Sequence, residues 1–106
     1  MVYQLGSGLL DACVLSGVSH GDAYGYTLTQ QVRNVVDISE STLYPVLRRL
    51  QKDGYLTTYD EAIAGRNRRY YRLTDSGKVK LDEAVRDWES FSSSVDALLM
   101  GGNNNE

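Results

Sequence analysis

The sequence predicts a mainly α-helical chain that carries one small β-hairpin, and three observations predict it. Apolar residues recur at spacings of three and four through most of the 106 positions. That period breaks between residues 55 and 74, where two Tyr- and Thr-rich runs flank Gly65. It then resumes as a stripe from Leu81 to Leu99. A chain of this length with 42% apolar residues is long enough for one core and too short for two ordinary domains. Its single cysteine, Cys13, cannot form an internal disulfide, and no Cys/His cluster has metal-ligand spacing, so neither metal nor cofactor is expected. The start, MVYQLGSGLL, has no basic leader, and no run of 18 apolar residues occurs. A cytoplasmic protein with no membrane partner is the expectation.

The elements follow in order. Residues 2 to 16 read as a helix apolar on two sides, with Val2, Leu5, Leu9, Ala12 and Cys13 on one and Tyr3, Leu10 and Val14 on the other. Two apolar sides call for two partners. Gly17, Gly21 and Asp22 then break the chain before a second helix, opening near Ala23 and ending near Asp37, with Tyr24, Leu28, Val32 and Val35 on one face. Ser39 is placed to cap a third helix whose apolar stripe is Leu43, Val46, Leu47 and Leu50, with Gly54 just past its end. At about 100° per residue, its opposite face carries Ser41, Pro45, Arg48 and Lys52, flanked by Tyr44 and Arg49. Pro45 falls in the first two turns, where few or no ladder bonds are lost. YLTTYDE (55–61) and RRYYRLT (68–74), joined by AIAGRN, form the hairpin. Thr74 or Asp75 starts the last helix and Gly101 stops it, leaving residues 101–106 as a disordered tail.

Charge is segregated along this order. The whole chain is −3, but residues 48 to 80 hold nine Lys/Arg against four acids, a net +5. A basic surface facing a polyanion explains that; so does a solvated charged face. Three helices followed by a hairpin is the order of a winged helix-turn-helix, in which the third helix enters the DNA major groove. Ser39, Ser41, Thr42 and Tyr44 then lie near its N-terminus, where short hydroxyls and free N–H groups suit phosphate. Arg48, Arg49 and Lys52 extend the contact, and Arg66 and Arg68 near the wing tip reach the backbone or the minor groove. Tyr44 has a second reading, as a residue of the core edge. Arg69 and Arg72 read better as cross-strand partners of Asp60 and Glu61. No nucleophile, convergent carboxylate pair or Gly-rich phosphate loop points to an enzyme, so no catalytic residue is assigned.

The pattern S-x-S-T-L-Y-P-V-L-R-R-L-x-x-D-G-Y-L at 39–56, followed by G-R-N-R-R-Y-Y-R-L-T-D-S-G at 65–77, resembles the PadR family of bacterial transcriptional regulators. The likeness covers roughly residues 9 to 81 and takes in His20-Gly21 and Gly25-Tyr26. One helix after the wing is similar to the compact subfamily, which includes multidrug-binding repressors. The resemblance implies a homodimer, repression at a palindromic operator of double-stranded DNA, and release by a small planar aromatic ligand.

Independently of the resemblance, the spacing near 3.5 of the last stripe suits a helix that keeps one seam against a partner helix. That stripe is expected to pack on the two-sided first helix, that of a second subunit. Trp88 sits mid-stripe, with Val85 and Phe91 beside it and Leu10 and Val14 expected opposite. These five form either a ligand slot or a dimer seam; the resemblance places Trp88 across from its symmetry mate, stacking aromatic ligands. The expected organisation is a winged helix-turn-helix domain over 1–75, whose first helix also enters the dimer interface, and a dimerisation helix over 76–100. A winged-helix module that binds an acidic protein rather than specific DNA is the alternative.

Overall fold

The computed structural model describes residues 7–101. Val2, Tyr3 and Leu5 of the expected first helix, and residues 102–106 of the expected tail, lie outside the described residues. Four helices and three short strands run in the order α1 (Ser7–Gly17), β1 (Ala23–Tyr24), α2 (Gly25–Arg33), α3 (Glu40–Lys52), β2 (Leu56–Ile63), β3 (Arg66–Leu73) and α4 (Asp75–Leu99). The core is contributed by α1 and the turn after it, α2, α3 and the root of the hairpin: Val14, Leu15, Val18, Leu28, Val32, Leu43, Leu47, Leu50, Leu56 and Tyr71.

The third helix forms as its sequence dictates. Ser39 takes extended backbone and its hydroxyl accepts the Thr42 N–H at 3.3 Å, so one of the free donors of the first turn is satisfied. Leu43, Leu47 and Leu50 are fully buried, and Gly54, with φ 84°, leaves the helix in the left-handed conformation. Because the helix begins at Glu40, Pro45 is its sixth residue and forgoes one ladder bond, on the exposed side.

Between residues 23 and 66 three expectations change. The second helix opens two residues later than expected and ends at Arg33. Ala23 and Tyr24 instead form β1, which pairs antiparallel with β3 (Ala23 with Tyr71, Tyr24 with Tyr70) and makes the sheet three-stranded in the order β1-β3-β2. Val35, expected on the buried face of α2, lies beyond its end and is exposed. The hairpin loop contracts to Ala64-Gly65, both with positive φ (53° and 77°), so pairing runs to Ile63 and Arg66. Positive φ at both positions gives the turn the twist that two-residue hairpins need.

The start of α4 is clamped to the end of α3. The Thr74 and Ser76 hydroxyls both donate to the Gly54 carbonyl, at 2.7 and 2.9 Å, and the Thr74 N–H donates to the Tyr55 carbonyl at 3.2 Å. The Thr74 hydroxyl also accepts the Gly77 N–H at 2.9 Å, capping α4. Gly77 is buried in this junction, and a Cβ there would stand 2.2 Å from the Tyr55 carbonyl oxygen and 2.6 Å from Leu73 Cδ1. The T-D-S-G sequence thereby fixes the wing root and the long helix to the end of α3.

The last helix packs on the first, as expected, but on that of its own chain. Its first half lies on α1 of its own chain, with Leu81, Val85 and Trp88 facing Leu9, Ala12 and Cys13. The wing intervenes in sequence, but the clamp at Gly54 turns the chain back over the core. Its second half runs past the core to exposed Leu98, Leu99 and Met100, in a molecule measuring 63 × 26 × 21 Å.

Candidate nucleic-acid interface

The polar face of α3 is open. Ser41, Pro45, Arg48 and Lys52 are exposed, opposite the buried leucines. At its start the Ser39 hydroxyl lies 3.0 Å from both the Ser41 and Thr42 hydroxyls. The turn that presents α3 is fixed by Arg33, whose Nε donates to the Ile38 carbonyl at 3.0 Å, and by Gln30, which donates to Glu40 at 3.2 Å. Tyr44 satisfies both of its readings in part: half-buried, it packs against the core and also borders the groove described below.

Arg49 is placed differently. Its guanidinium donates to both carboxylate oxygens of Asp11 on α1, at 2.5 and 3.2 Å, and Asp11 is buried. That hydrogen bond raises the guanidinium pKa above its ordinary value. Arg49 therefore ties α3 to α1 rather than standing free on the polar face.

Strand alternation sorts the wing residues onto two faces. Arg66, Arg68, Tyr70 and Arg72 share the outer face, whereas Asn67, Arg69 and Tyr71 share the face that turns to the core. Arg68, expected as a tip contact, lays its guanidinium over the Tyr24 ring, 4.8 Å from the centroid. Arg66 is exposed beside the turn. On the inner face, Asn67, Arg69 and Asp60 of the wing, Tyr44 and Arg48 of α3, and Gly25 and Tyr26 at the start of α2 line an open groove of about 550 Å³. Arg69 pairs with Asp60 at 3.3 Å, as the cross-strand reading has it. Arg72 does not pair with Glu61; it reaches Asp22, at 3.0 Å, which also accepts the Tyr59 hydroxyl at 2.7 Å. The hydrogen bond from Arg72, then that from Tyr59, holds the Asp22 carboxyl below its ordinary pKa. Tyr59 stacks on Tyr70 at 5.6 Å between centroids, and Tyr24 lies 5.9 Å from Tyr70, so the outer face of the wing is stiffened by packed rings.

A second concavity is apolar. Leu9, Ala12 and Cys13 of α1, Val32 and Val35, and Leu81, Val85 and Trp88 of α4 enclose a cleft of about 370 Å³. Trp88 is 39% exposed, with Phe91 at 6.2 Å between ring centroids. Val14 cannot line a seam or slot, being fully buried in its own core, and Leu10 packs against that core. Burial raises the pKa of the Cys13 thiol, so it is a poorer nucleophile than a free cysteine.

Residues 14–83 match the family model described as the transcriptional regulator PadR-like family. The chain belongs to the PadR-like family of transcriptional regulators. Among curated relatives, the transcriptional regulator Rv3488 of Mycobacterium tuberculosis is 36% identical over 83 residues, covering 77% of this chain and 78% of that one. Among solved structures, smu.1704 of Streptococcus mutans is 38% identical with a TM-score of 0.87 over 100% of both chains. A PadR-like transcriptional regulator of Bacillus cereus is 32% identical with a TM-score of 0.81, over 98% of this chain and 100% of that one. Membership of the PadR-like family makes the chain a DNA-binding transcription regulator and not an enzyme. The winged helix with one C-terminal helix agrees with that family's fold. Among the described residues no helix is long and apolar enough to cross a membrane.

Tyr26, Asn67 and Asp60 line the groove without being among the expected contact residues. Alternation along β3 held the signal for Asn67, since it fixes which wing residues share a face with Tyr71. Asp22 could not be found that way, because its partners lie 37 and 50 positions away.

Proposed function

We propose that this PadR-like regulator binds a palindromic operator as a homodimer, acts as a repressor, and is released by a small planar aromatic ligand. The observation that carries the DNA reading is the open face of α3, with Ser41, Arg48 and Lys52 beside a groove walled by the wing. Arg48 and Lys52 supply cations for phosphates or base edges, while Ser39, Ser41 and Thr42 supply hydroxyls at the helix start. Tyr44 contacts DNA from the groove wall, and Arg66 meets the backbone from the tip. Arg49 and Arg68 act indirectly, by holding α3 on α1 and by stiffening the wing.

Residues 1–75 act as the DNA-binding unit and 76–100 as the dimerisation helix. The second half of α4 supports this division: it carries Leu98, Leu99 and Met100 exposed, beyond any core of its own chain. At 1.5 Å per residue the 25-residue helix is about 37 Å long, enough to extend past α1 to a second copy. The cleft beside Trp88 has the size and lining of a small-molecule site. A ligand there would favour a dimer in which the two α3 helices lose the operator spacing, and each tenfold loss of DNA affinity needs about 1.4 kcal/mol of differential binding.

Selection of genomic fragments by the purified protein tests the reading. The expected product is a two-fold site with half-sites about 34 Å apart, or a multiple of it. Recovery of no preferred fragment would reject operator recognition in favour of a protein-binding module. Trp88 fluorescence quenched by an aromatic compound that leaves operator affinity unchanged would reject the release mechanism.

A further inference from the structure

Asp60 places a carboxylate in the wall of the groove proposed to face a polyanion, where a negative charge by itself opposes binding. It stands directly opposite Arg69 in the hairpin register. Its two oxygens accept from Arg69 Nε at 3.3 Å and from Asn67 Nδ2 at 3.4 Å. Stability does not explain it. The side chains of the pair are 44% and 59% exposed, and ion pairs so open to water contribute little to folding.

The geometry of the pair offers a reason. Only Nε of Arg69 is engaged; the two terminal nitrogens donate no hydrogen bond among the described residues. Asp60 therefore engages the guanidinium at its inner edge and biases the side chain toward one orientation, leaving the outer edge as a fork. A free arginine must lose rotamer freedom when its fork binds, whereas one already held in place loses less. Across the groove stand Arg48 and Tyr44 of α3. A strand of the duplex seated between them would meet the Arg69 fork and the α3 cations together.

We infer that Asp60 is a positioning residue for DNA recognition, which acts by orienting Arg69 as the wing's contact to a guanine edge or a phosphate. The inference rests on the DNA reading above. It moves the wing contact from Arg68 on the outer face to Arg69 on the inner one. Arg69 is the group that touches DNA; Asp60 acts through it.

The sign of one substitution separates this role from plain electrostatics. If Asp60 were only a negative charge near DNA, Asp60→Asn would tighten binding. As a positioning residue, Asp60→Asn weakens binding to a fragment selected by the unaltered protein by about fivefold or more, the low end of a bidentate arginine contact. Asp60→Glu restores part of the loss, and Asp60→Ala serves beside Asn so that a folding defect in one variant does not decide the result. In an Arg69→Ala background, Asp60→Asn produces no further weakening, because the fork it positions is gone. Binding by Asp60→Asn that is as tight as the unaltered protein, or losses that add in the double variant, overturns the inference while leaving the DNA reading intact. If the unaltered protein selects no fragment, the DNA reading fails and the positioning role fails with it.

Discussion

Replacing Arg49 by Ala separates a scaffold residue from a DNA contact within one helix. The side chains of Asp11 and Arg49 are 13% and 43% exposed, so the substitution leaves a mostly buried carboxylate without its two donors. Charged hydrogen bonds contribute about 1.5–3 kcal/mol each, and breaking a fully buried pair costs about 3–5 kcal/mol. Nearly half of the Arg49 side chain is in water, and screening brings the expected loss to about 1.5–2 kcal/mol. In a domain of this size that lowers the melting temperature by about 10 °C. Circular dichroism melts read the stability, and a salt titration of DNA binding at a temperature where both proteins are folded reads the contact. The expected outcome is a lower melting temperature with an unchanged slope of log K against log salt. A normal melt together with a slope shallower by about 0.9, the contribution of one phosphate contact, would return Arg49 to the DNA interface and refute the scaffold assignment.

Three further outcomes are expected. Gly77→Ala would gain up to about 1 kcal/mol of helix propensity. The Cβ at 2.2 Å from the Tyr55 carbonyl oxygen forces the α3–α4 clamp apart, however, so a net destabilisation of about 2–3 kcal/mol should appear in urea melts. Because the folded Asp22 carboxyl titrates below its ordinary value of 3.8, its stabilising effect is complete above about pH 5 and fades as pH falls through the folded pKa. The stability of Asp22→Asn should accordingly fall less between pH 5 and pH 3 than that of the unaltered protein. Leu98→Asp with Leu99→Asp should shift sedimentation from dimer to monomer without lowering helix content, since neither residue is in the core of its own chain.

What the sequence disclosed, and what it withheld, divides by range. The stripe Leu43, Leu47, Leu50 and the Ser39 cap depend on neighbours three or four positions away, and both are legible; the start of α4 is legible only to within Thr74 or Asp75. The wing is legible as a hairpin, but which residues share a face follows only from the register, in which Arg68 alternates with Tyr71 and lies on the opposite face. Two residues, Ala23 and Tyr24, are too few for any period, so nothing in the sequence separates β1 from the helix that follows it. The Arg49 to Asp11 pair spans 38 positions and the Arg72 to Asp22 pair 50, and no local pattern reports either. The last helix shows the same limit. Its stripe told that α4 needs an apolar partner; the clamp through Gly54 and Gly77 decides that α1 of the same chain supplies the first part of it.

The central claim is that the exposed face of α3 holds DNA through Arg48 and Lys52. The most direct test is the salt dependence of binding to a selected genomic fragment, measured for the unaltered protein and for Arg48→Ala with Lys52→Ala. Both residues are exposed, so the variant should melt like the unaltered protein. If each cation neutralises one phosphate, the slope of log K against log salt becomes shallower by about 1.8 and affinity falls at every salt concentration. An unchanged slope and affinity in a folded variant would contradict the account and move the nucleic-acid interface off α3.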